Sequence, residues 1–222
     1  MKDLQLYSAF AGVASPIVLA ATTIVVAQQR PEYSHIRNTL SELGMVGAPN
    51  ATWMNLAGII PAGILVTLAA GAVHRAFGIG RFSKAGAVFL GFGGLSLAAS
   101  ALSPWRGAPM DFTTLTNVLH AILAMVGFAS ISIAPLLLSL HARRSATIQE
   151  WCVPSLVAAA GIATLAFWPS EERYLGVFQR AALGVFYLWL SSACIWAAKK
   201  RFRTHRSSHF LRRGDSTSCP NP

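Results

Sequence analysis

Six long apolar runs are the feature of this sequence that most constrains its fold. Each is close to the roughly 20 residues that a helix needs to cross a hydrocarbon core. The runs cover residues 9–27, 52–73, 85–102, 115–140, 151–168 and 176–198. A segment in lipid must satisfy its own backbone polar groups, and a helix does so internally. The sequence therefore predicts an all-α, polytopic membrane bundle of six transmembrane helices.

The composition excludes an ordinary soluble protein. Hydrophobic residues make up 54% of the chain, charged residues make up 12%, and the mean hydropathy is +0.50, whereas about a quarter of the residues in soluble proteins are charged. We expect one transmembrane domain over residues 1–198 and a basic, disordered cytoplasmic tail over residues 199–222. The first run follows Lys2 as a signal peptide would, but its apolar length favours an uncleaved anchor.

Basic residues are divided unequally between the two sides of the predicted bundle. The side with both termini carries thirteen of them: Lys2, Arg75, Arg81, Lys84, Arg143, Arg144, Lys199, Lys200, Arg201, Arg203, Arg206, Arg212 and Arg213. The other side carries five arginines and five acidic residues: Arg30, Arg37, Arg106, Arg173, Arg180, Glu32, Glu42, Asp111, Glu171 and Glu172. Because positive loops stay in the cytoplasm, we expect both termini there and the chain in the plasma (inner) membrane.

The net charge of +10 therefore belongs to the cytoplasmic flank of the predicted bundle. A basic flank of this kind contacts anionic lipid headgroups. It does not form a basic soluble face with aromatic stacking groups, as a nucleic-acid-binding surface would. We expect membrane lipids and not nucleic acid as partners, and the sequence makes no prediction of protein partners.

The loop between the first two runs carries the most unusual polar chemistry of the chain. Residues 33–50 read Tyr-Ser-His-Ile-Arg-Asn-Thr-Leu-Ser-Glu-Leu-Gly-Met-Val-Gly-Ala-Pro-Asn. Pro31 and Glu32 suit the start of a helix and Gly44 suits its end, so we predict a short interfacial helix in this first outer loop. Two faces of that helix would be polar. One would carry His35, Thr39 and Glu42, and the other Ser34, Asn38 and Ser41.

Four more polar residues come to the same side by topology. Asp111 precedes the fourth run, His120 lies about one turn inside it, and Gln179 and Arg180 lie about one turn inside the sixth run. An ionisable side chain at that depth is costly unless it is paired or hydrated, which marks it as a functional candidate. Two interpretations of Arg180 stay open, a structural clamp and a contact for an anion or oxyanion.

These residues carry a resemblance to a known family. The chain has Tyr-Ser-His-Ile-Arg-Asn-Thr-Leu-Ser-Glu-Leu-Gly followed by Gly-Ala-Pro-Asn, a His near the start of the fourth run, and Gly-Val-Phe-Gln-Arg at the sixth with Trp189 beyond it. It resembles the bacterial and archaeal membrane proteins grouped as domain of unknown function 998. The resemblance implies the six-helix fold and no particular activity.

Hydroxyls and histidines in one outer-face segment suggest nucleophilic catalysis by an intramembrane hydrolase. In this hypothesis a hydroxyl attacks an ester or amide of a lipid-like substrate after a histidine takes its proton. Polar side chains would steady the oxyanion. The nucleophile would be one of Ser34, Thr39 and Ser41, and the base would be His35 or His120. Contacts to the substrate or its negative charge would come from Asn38, Glu42, Gln179 and Arg180.

Three alternatives stay open from the residues alone, so the cofactor content is left unknown. A metal site would use His35, His120, Asp111 and Glu42, although they form no compact motif such as His-Glu-x-x-His. A haem would lie between His35 and His120 or, at the other side, between His74 and His141. In a non-enzymatic protein that binds lipid, assists transport or joins a complex, the polar loop would be a structural clasp.

Overall fold

The structure is a computed structural model of an all-helical bundle. It describes the backbone of residues 2–107, 112–169 and 171–214 and the side chains of residues 6–107, 112–169 and 171–200. The helices are α1 (Lys2–Gln28), α2 (Leu40–Leu43), α3 (Ala51–Phe77), α4 (Arg81–Leu102), α5 (Leu115–Ala142), α6 (Cys152–Phe167) and α7 (Leu175–Gly214). A π-helical segment, Met54–Ile59, lies inside α3, and 3-10 turns precede α6 at Gln149–Trp151 and α7 at Glu172–Tyr174.

In the described part of the chain, every helix except α2 is long and apolar enough to cross a membrane, with α6 counted together with the 3-10 turn before it as Gln149–Phe167. The six predicted spanning helices and the all-α fold class are therefore confirmed. Helix α7 continues beyond the sixth run to Gly214, so the predicted tail begins as helix, and residues 215–222 lie outside the described residues. The division into a membrane domain and a tail stays a prediction.

Successive connections of the bundle alternate between two ends. At one end, the backbone N–H of Val46 donates to the carbonyl of Trp105 across 2.8 Å. At the other end, Nε2 of His141 lies 3.1 Å from the carbonyl oxygen of Phe77. We call these the first-loop end and the basic end. Among the described residues, the first-loop end is formed by residues 29–50, 103–107, 112–114, 168–169 and 171–174, and the basic end by residues 78–80 and 143–148.

Helix α2 is much shorter than the predicted interfacial helix. It covers Leu40–Leu43 only, whereas the sequence predicts a helix that starts near Pro31. The carboxylate of Glu42 explains the late start, because it accepts hydrogen bonds from the backbone N–H and the hydroxyl of Thr39 at 2.8 and 3.1 Å. These bonds hold Thr39 as an extended N-cap (φ −74°, ψ 164°), so the helix begins at the next residue.

Helices α3 and α4 pack backbone against backbone at their glycines. A Cβ atom added to Gly94 would lie 2.5 Å from the carbonyl oxygen of Gly63 and 2.9 Å from the backbone nitrogen of Thr67. One added to Gly63 would overlap the carbonyl oxygen of Gly94. In lipid, such close approach supplies the packing that stabilises a helix pair.

We expect Gly94→Ala to lower the free energy of unfolding by roughly 1–3 kcal/mol, because the methyl group forces two backbones apart. The matched control is Gly91→Ala in the same helix. Its Cβ would lie 3.8 Å from the nearest atoms of Ala70 and Thr67, so no loss is expected there. Unfolding in detergent, followed by circular dichroism, measures both. Equal losses in the two variants would contradict close packing at Gly94.

Candidate functional site

Ser41 and His120 meet at the first-loop end, although 79 residues separate them in the sequence. The Ser41 hydroxyl oxygen lies 3.0 Å from Nε2 of His120. Two of the predicted catalytic residues are thus within hydrogen-bond reach, one from α2 and one from α5. This is the geometry that activates a serine through an adjacent base.

Backbone carbonyls fix the tautomer of His120. Its Nδ1 atom lies 2.9 Å from the carbonyl oxygen of Ser100 and 3.1 Å from that of Ser103. Both partners only accept, so Nδ1 carries a proton. In the neutral imidazole, Nε2 then carries none and accepts the hydroxyl hydrogen of Ser41. The ring is oriented as a general base, with two carbonyls in the position that a carboxylate takes in a Ser-His-Asp triad.

The connection between α4 and α5 holds this histidine in place. Trp105 is buried and packs edge-on against the His120 ring, with centroids 5.7 Å apart. Asn117, one turn before His120, accepts from the backbone N–H of Arg106 at 2.8 Å and donates to its carbonyl at 2.9 Å. Neither residue was predicted from the sequence. An Asn in an apolar run, one turn from a His, is the signal that would have found Asn117.

Helix α2 is anchored at both ends, which positions Ser41. Its first backbone N–H, that of Leu40, donates to Oε1 of Gln179 across 2.7 Å. After its last residue, the carbonyl of Gly44 accepts from Nδ2 of Asn55 at 2.9 Å. Leu40 and Leu43 are buried in the core, so Ser41 lies on a different face of the helical turn.

A cavity of about 750 Å³ opens beside the Ser41–His120 pair. That volume is within the usual range for small-molecule sites. Its polar wall contains Asn38, Thr39, Ser41, Glu42, His120 and Gln179. Its apolar wall contains Ala121, Ala124, Met125, Phe128 and Phe167 from α5 and α6. The cavity therefore suits a molecule with both a polar and an apolar part.

The remaining polar side chains of this wall differ in their hydrogen-bond partners. Asn38 donates to Oε2 of Glu42 at 2.6 Å, and the other oxygen of Glu42 is bonded to Thr39. Thr39 and Glu42 are therefore occupied with each other. In Gln179, the Leu40 N–H fixes the amide oxygen, which leaves Nε2 as a donor with no partner among the described residues.

Arg180 lies outside the cavity lining and holds the first loop onto α7. Its guanidinium donates to the carbonyls of His35 and Asn38 at 2.9 and 2.7 Å and to the Tyr33 hydroxyl. Gly176 lets the loop come close, since a Cβ there would overlap the carbonyl oxygen of Asn38. Of the two interpretations of Arg180, these contacts favour the structural clamp.

Tyr33 completes the clamp as a neutral phenol. Burial raises the pKa of Tyr33 above its usual range, and the nearby Arg180 guanidinium partly offsets this effect. The protonated hydroxyl donates to the carbonyl of Thr39 at 2.8 Å while it accepts from Arg180. The loop is thus tied to α7 by charge-assisted hydrogen bonds as well as by backbone contacts.

Two predicted catalytic residues lie away from the Ser41–His120 pair. His35 is exposed, and its ring packs edge-on against Tyr33 with centroids 5.3 Å apart. Ser34 accepts from the backbone N–H of Arg37 at 3.4 Å and, like His35, does not line the cavity. The geometry therefore selects Ser41 and His120 from the predicted set.

The predicted metal ligands that the structure describes, His35, His120 and Glu42, do not form a metal site. Among the described residues, no three His, Cys, Asp or Glu side chains lie close enough to hold a metal ion. Asp111 lies outside the described residues. At the basic end, Nδ1 of His74 lies 3.0 Å from the Ser83 hydroxyl, and His141 is bonded to a carbonyl of α3.

Comparison with family models identifies the family of this chain. A model described as Protein of unknown function (DUF998) matches residues 13–196. The chain belongs to this family. Membership confirms the resemblance seen in the sequence and identifies a multi-pass membrane protein, since the match runs from within α1 to within α7. Searches of curated proteins and of solved structures found no match to the chain.

In this DUF998 protein we expect Arg180→Gln to lower the free energy of unfolding by about 2 kcal/mol, because it removes charge-assisted hydrogen bonds and leaves loop carbonyls without a donor. The matched control is Arg173→Gln. Its exposed ion pair with Glu171 contributes less than about 1 kcal/mol. Thermal unfolding of both variants in one detergent gives the comparison, and similar losses would show that Arg180 is not a clamp.

Proposed function

We propose that this protein is an intramembrane hydrolase that cleaves an ester or amide of a lipid-like substrate at the extracytoplasmic face. The hydrogen bond between the Ser41 hydroxyl and Nε2 of His120, in the wall of a cavity, is the observation that carries the proposal. Ser41 is the nucleophile and His120 the general base. The carbonyls of Ser100 and Ser103 orient His120.

The reaction follows from these two side chains. As the Ser41 hydroxyl oxygen attacks the acyl carbon, its proton passes to Nε2 of His120. The tetrahedral intermediate collapses, and the leaving alcohol or amine takes that proton. Water then attacks the acyl-serine, gives a proton to the same Nε2, and releases the acid while Ser41 recovers its hydrogen.

Gln179 is the side chain best suited to support the oxyanion. Its amide oxygen is bonded to the backbone N–H of Leu40, the residue before the nucleophile. The Nε2 donor is therefore directed away from that contact, and Gln179 lines the cavity. A fixed donor beside the reacting carbonyl is worth roughly 10²–10³-fold in rate.

The position of the cavity supports a substrate that comes from the membrane. Its apolar wall belongs to the spanning helices α5 and α6 near the first-loop end. We place this end outside the cytoplasm, because the loops of the basic end and the tail hold most of the Lys and Arg residues. An acyl chain would lie along α5, with its ester beside Ser41.

The function is tested by turnover of single-chain lipid esters by the purified protein in nanodiscs. We expect free acid and alcohol in equal amounts, and we expect nanodiscs with Ser41→Ala to give the rate of empty nanodiscs. Equal turnover by the wild type and Ser41→Ala would assign the activity to a contaminant. Absence of turnover over a range of esters and amides would overturn the proposal.

A second candidate function is non-enzymatic, as a lipid-binding protein, transport accessory or complex subunit. The clamp of Arg180 and Tyr33 on the first loop favours it, because such contacts are what a structural clasp requires. In that case Ser41 would be an ordinary hydrogen-bond partner of His120. Binding of lipid without turnover, unchanged in Ser41→Ala, would support this second candidate.

A further inference from the structure

The cavity beside Ser41 is lined by four charged side chains of two signs. They are Arg37, Glu42, Glu172 and Arg173. Two of the four are engaged by the protein itself, since Glu42 accepts from Thr39 and Asn38 and Nε of Arg173 lies 2.6 Å from Glu171. The other two, Arg37 and Glu172, are left to be explained.

Arg37 and Glu172 present free charges at the cavity. Both side chains are exposed, and within the described part of the chain neither forms an ion pair or a side-chain hydrogen bond, with each other or with another residue. Both lie near the start of α7. The carbonyl of Arg37 accepts from the backbone N–H of Gly176 at 3.1 Å, and Glu172 opens the 3-10 turn that leads into α7.

A lipid with two opposite charges in its headgroup fits this arrangement. A guanidinium binds a phosphate through paired hydrogen bonds, and a carboxylate attracts an ammonium group. The opposite charges of Arg37 and Glu172 sum to zero, so the pair would not select a lipid by its net charge. Because the two charges are not paired with each other in the described part of the chain, both are available to a headgroup that carries one charge of each sign. The apolar wall of the same cavity would take an acyl chain.

We propose that the substrate is a lipid with a zwitterionic headgroup, whose phosphate binds Arg37 and whose ammonium group binds Glu172. The inference rests on the proposed hydrolase function and names its substrate class. It makes Arg37 and Glu172 specificity-determining residues that take no part in the chemistry at Ser41. Neither residue is a site candidate from the sequence alone, since each looks like an ordinary loop charge.

The test compares three single-chain esters that share one acyl chain and glycerol and differ only in the headgroup. One carries phosphoethanolamine, one carries phosphoglycerol, and one has no phosphate. We expect the wild-type kcat/KM to fall about tenfold from the phosphoethanolamine ester to the phosphoglycerol ester, which lacks the ammonium group. It should fall about tenfold again to the ester without phosphate. Equal kcat/KM values for all three esters would overturn the inference while leaving the hydrolase function intact.

Two charge-removing variants separate the parts of the headgroup. We expect Arg37→Gln to lower kcat/KM about tenfold for both phosphate-containing esters and to leave the uncharged ester unaffected. Glu172→Gln should lower it for the phosphoethanolamine ester alone. The matched control is Arg106→Gln, an exposed arginine at the same end that does not line the cavity, for which all rates should stay within twofold. A loss of the same pattern in Arg106→Gln would show a general effect of surface charge.

Binding keeps the inference testable if no ester is hydrolysed. Native mass spectrometry of the wild type in detergent would then compare retention of the phosphoethanolamine and phosphoglycerol lipids. Preferential retention of the phosphoethanolamine lipid, lost in Glu172→Gln, supports the headgroup site apart from catalysis. Equal retention of both lipids overturns it.

Discussion

Ester hydrolysis by Ser41→Ala is expected to fall by roughly 10³-fold or more, since the variant has no nucleophile and the other groups act only together with it. Stability should change little. The variant loses one hydrogen bond of about 1 kcal/mol, and the cavity lets water reach Nε2 of His120 instead. Initial rates in nanodiscs and the thermal midpoint of the same preparation measure both effects.

Ser34→Ala is the matched control for this substitution. Ser34 belongs to the same loop, and its hydroxyl accepts a backbone hydrogen bond outside the cavity. We expect its turnover to stay within twofold of the wild type. Loss of turnover in Ser34→Ala with retention in Ser41→Ala would move the nucleophile to the other serine and contradict the assignment.

His120→Gln is expected to slow hydrolysis by roughly 10²–10⁴-fold, the usual contribution of a general base. Glutamine keeps an N–H group for the carbonyls of Ser100 and Ser103, but its amide cannot take the proton of Ser41. Because the two residues act as a unit, the double variant Ser41→Ala/His120→Gln should be no slower than the worse single variant. Multiplied losses in the double variant would mean that the residues act independently.

The control for this histidine is His35→Gln. His35 is exposed and contacts the Tyr33 ring, away from Ser41. Turnover close to the wild-type rate is expected for it. A large loss in His35→Gln, with a normal thermal midpoint, would show that the base had been assigned to the wrong histidine.

The spanning helices could be predicted from the sequence because lipid leaves few choices. An apolar run long enough to cross the membrane must form a helix, and alternation then brings the first, third and fifth connections to one end. That is why Ser41, His120 and Gln179 could be assigned to one face of the bundle from the sequence. The length of α2 could not be predicted, since it depends on the bonds that Glu42 makes with Thr39 and Asn38.

The pairing within the site was beyond sequence reasoning for a physical reason. Three hydroxyls and two histidines were candidates, and spacing along the chain does not give distances between elements. The selection of Ser41 and His120 depends on where α2 lies against α5, and on backbone carbonyls of Ser100 and Ser103 that any residue type would supply. Arg180 was ambiguous for the same reason, because its partners are mostly carbonyls of the first loop.

The pairing of Ser41 with His120 is tested most directly by reaction with a fluorophosphonate, followed by intact-protein mass spectrometry and peptide mapping. The expected result is one adduct per chain, located on Ser41, with a rate that falls at least a hundredfold in His120→Gln. An adduct on another residue, or the same labelling rate in His120→Gln, would contradict the assignment. Absence of any adduct on folded protein would favour the structural clasp.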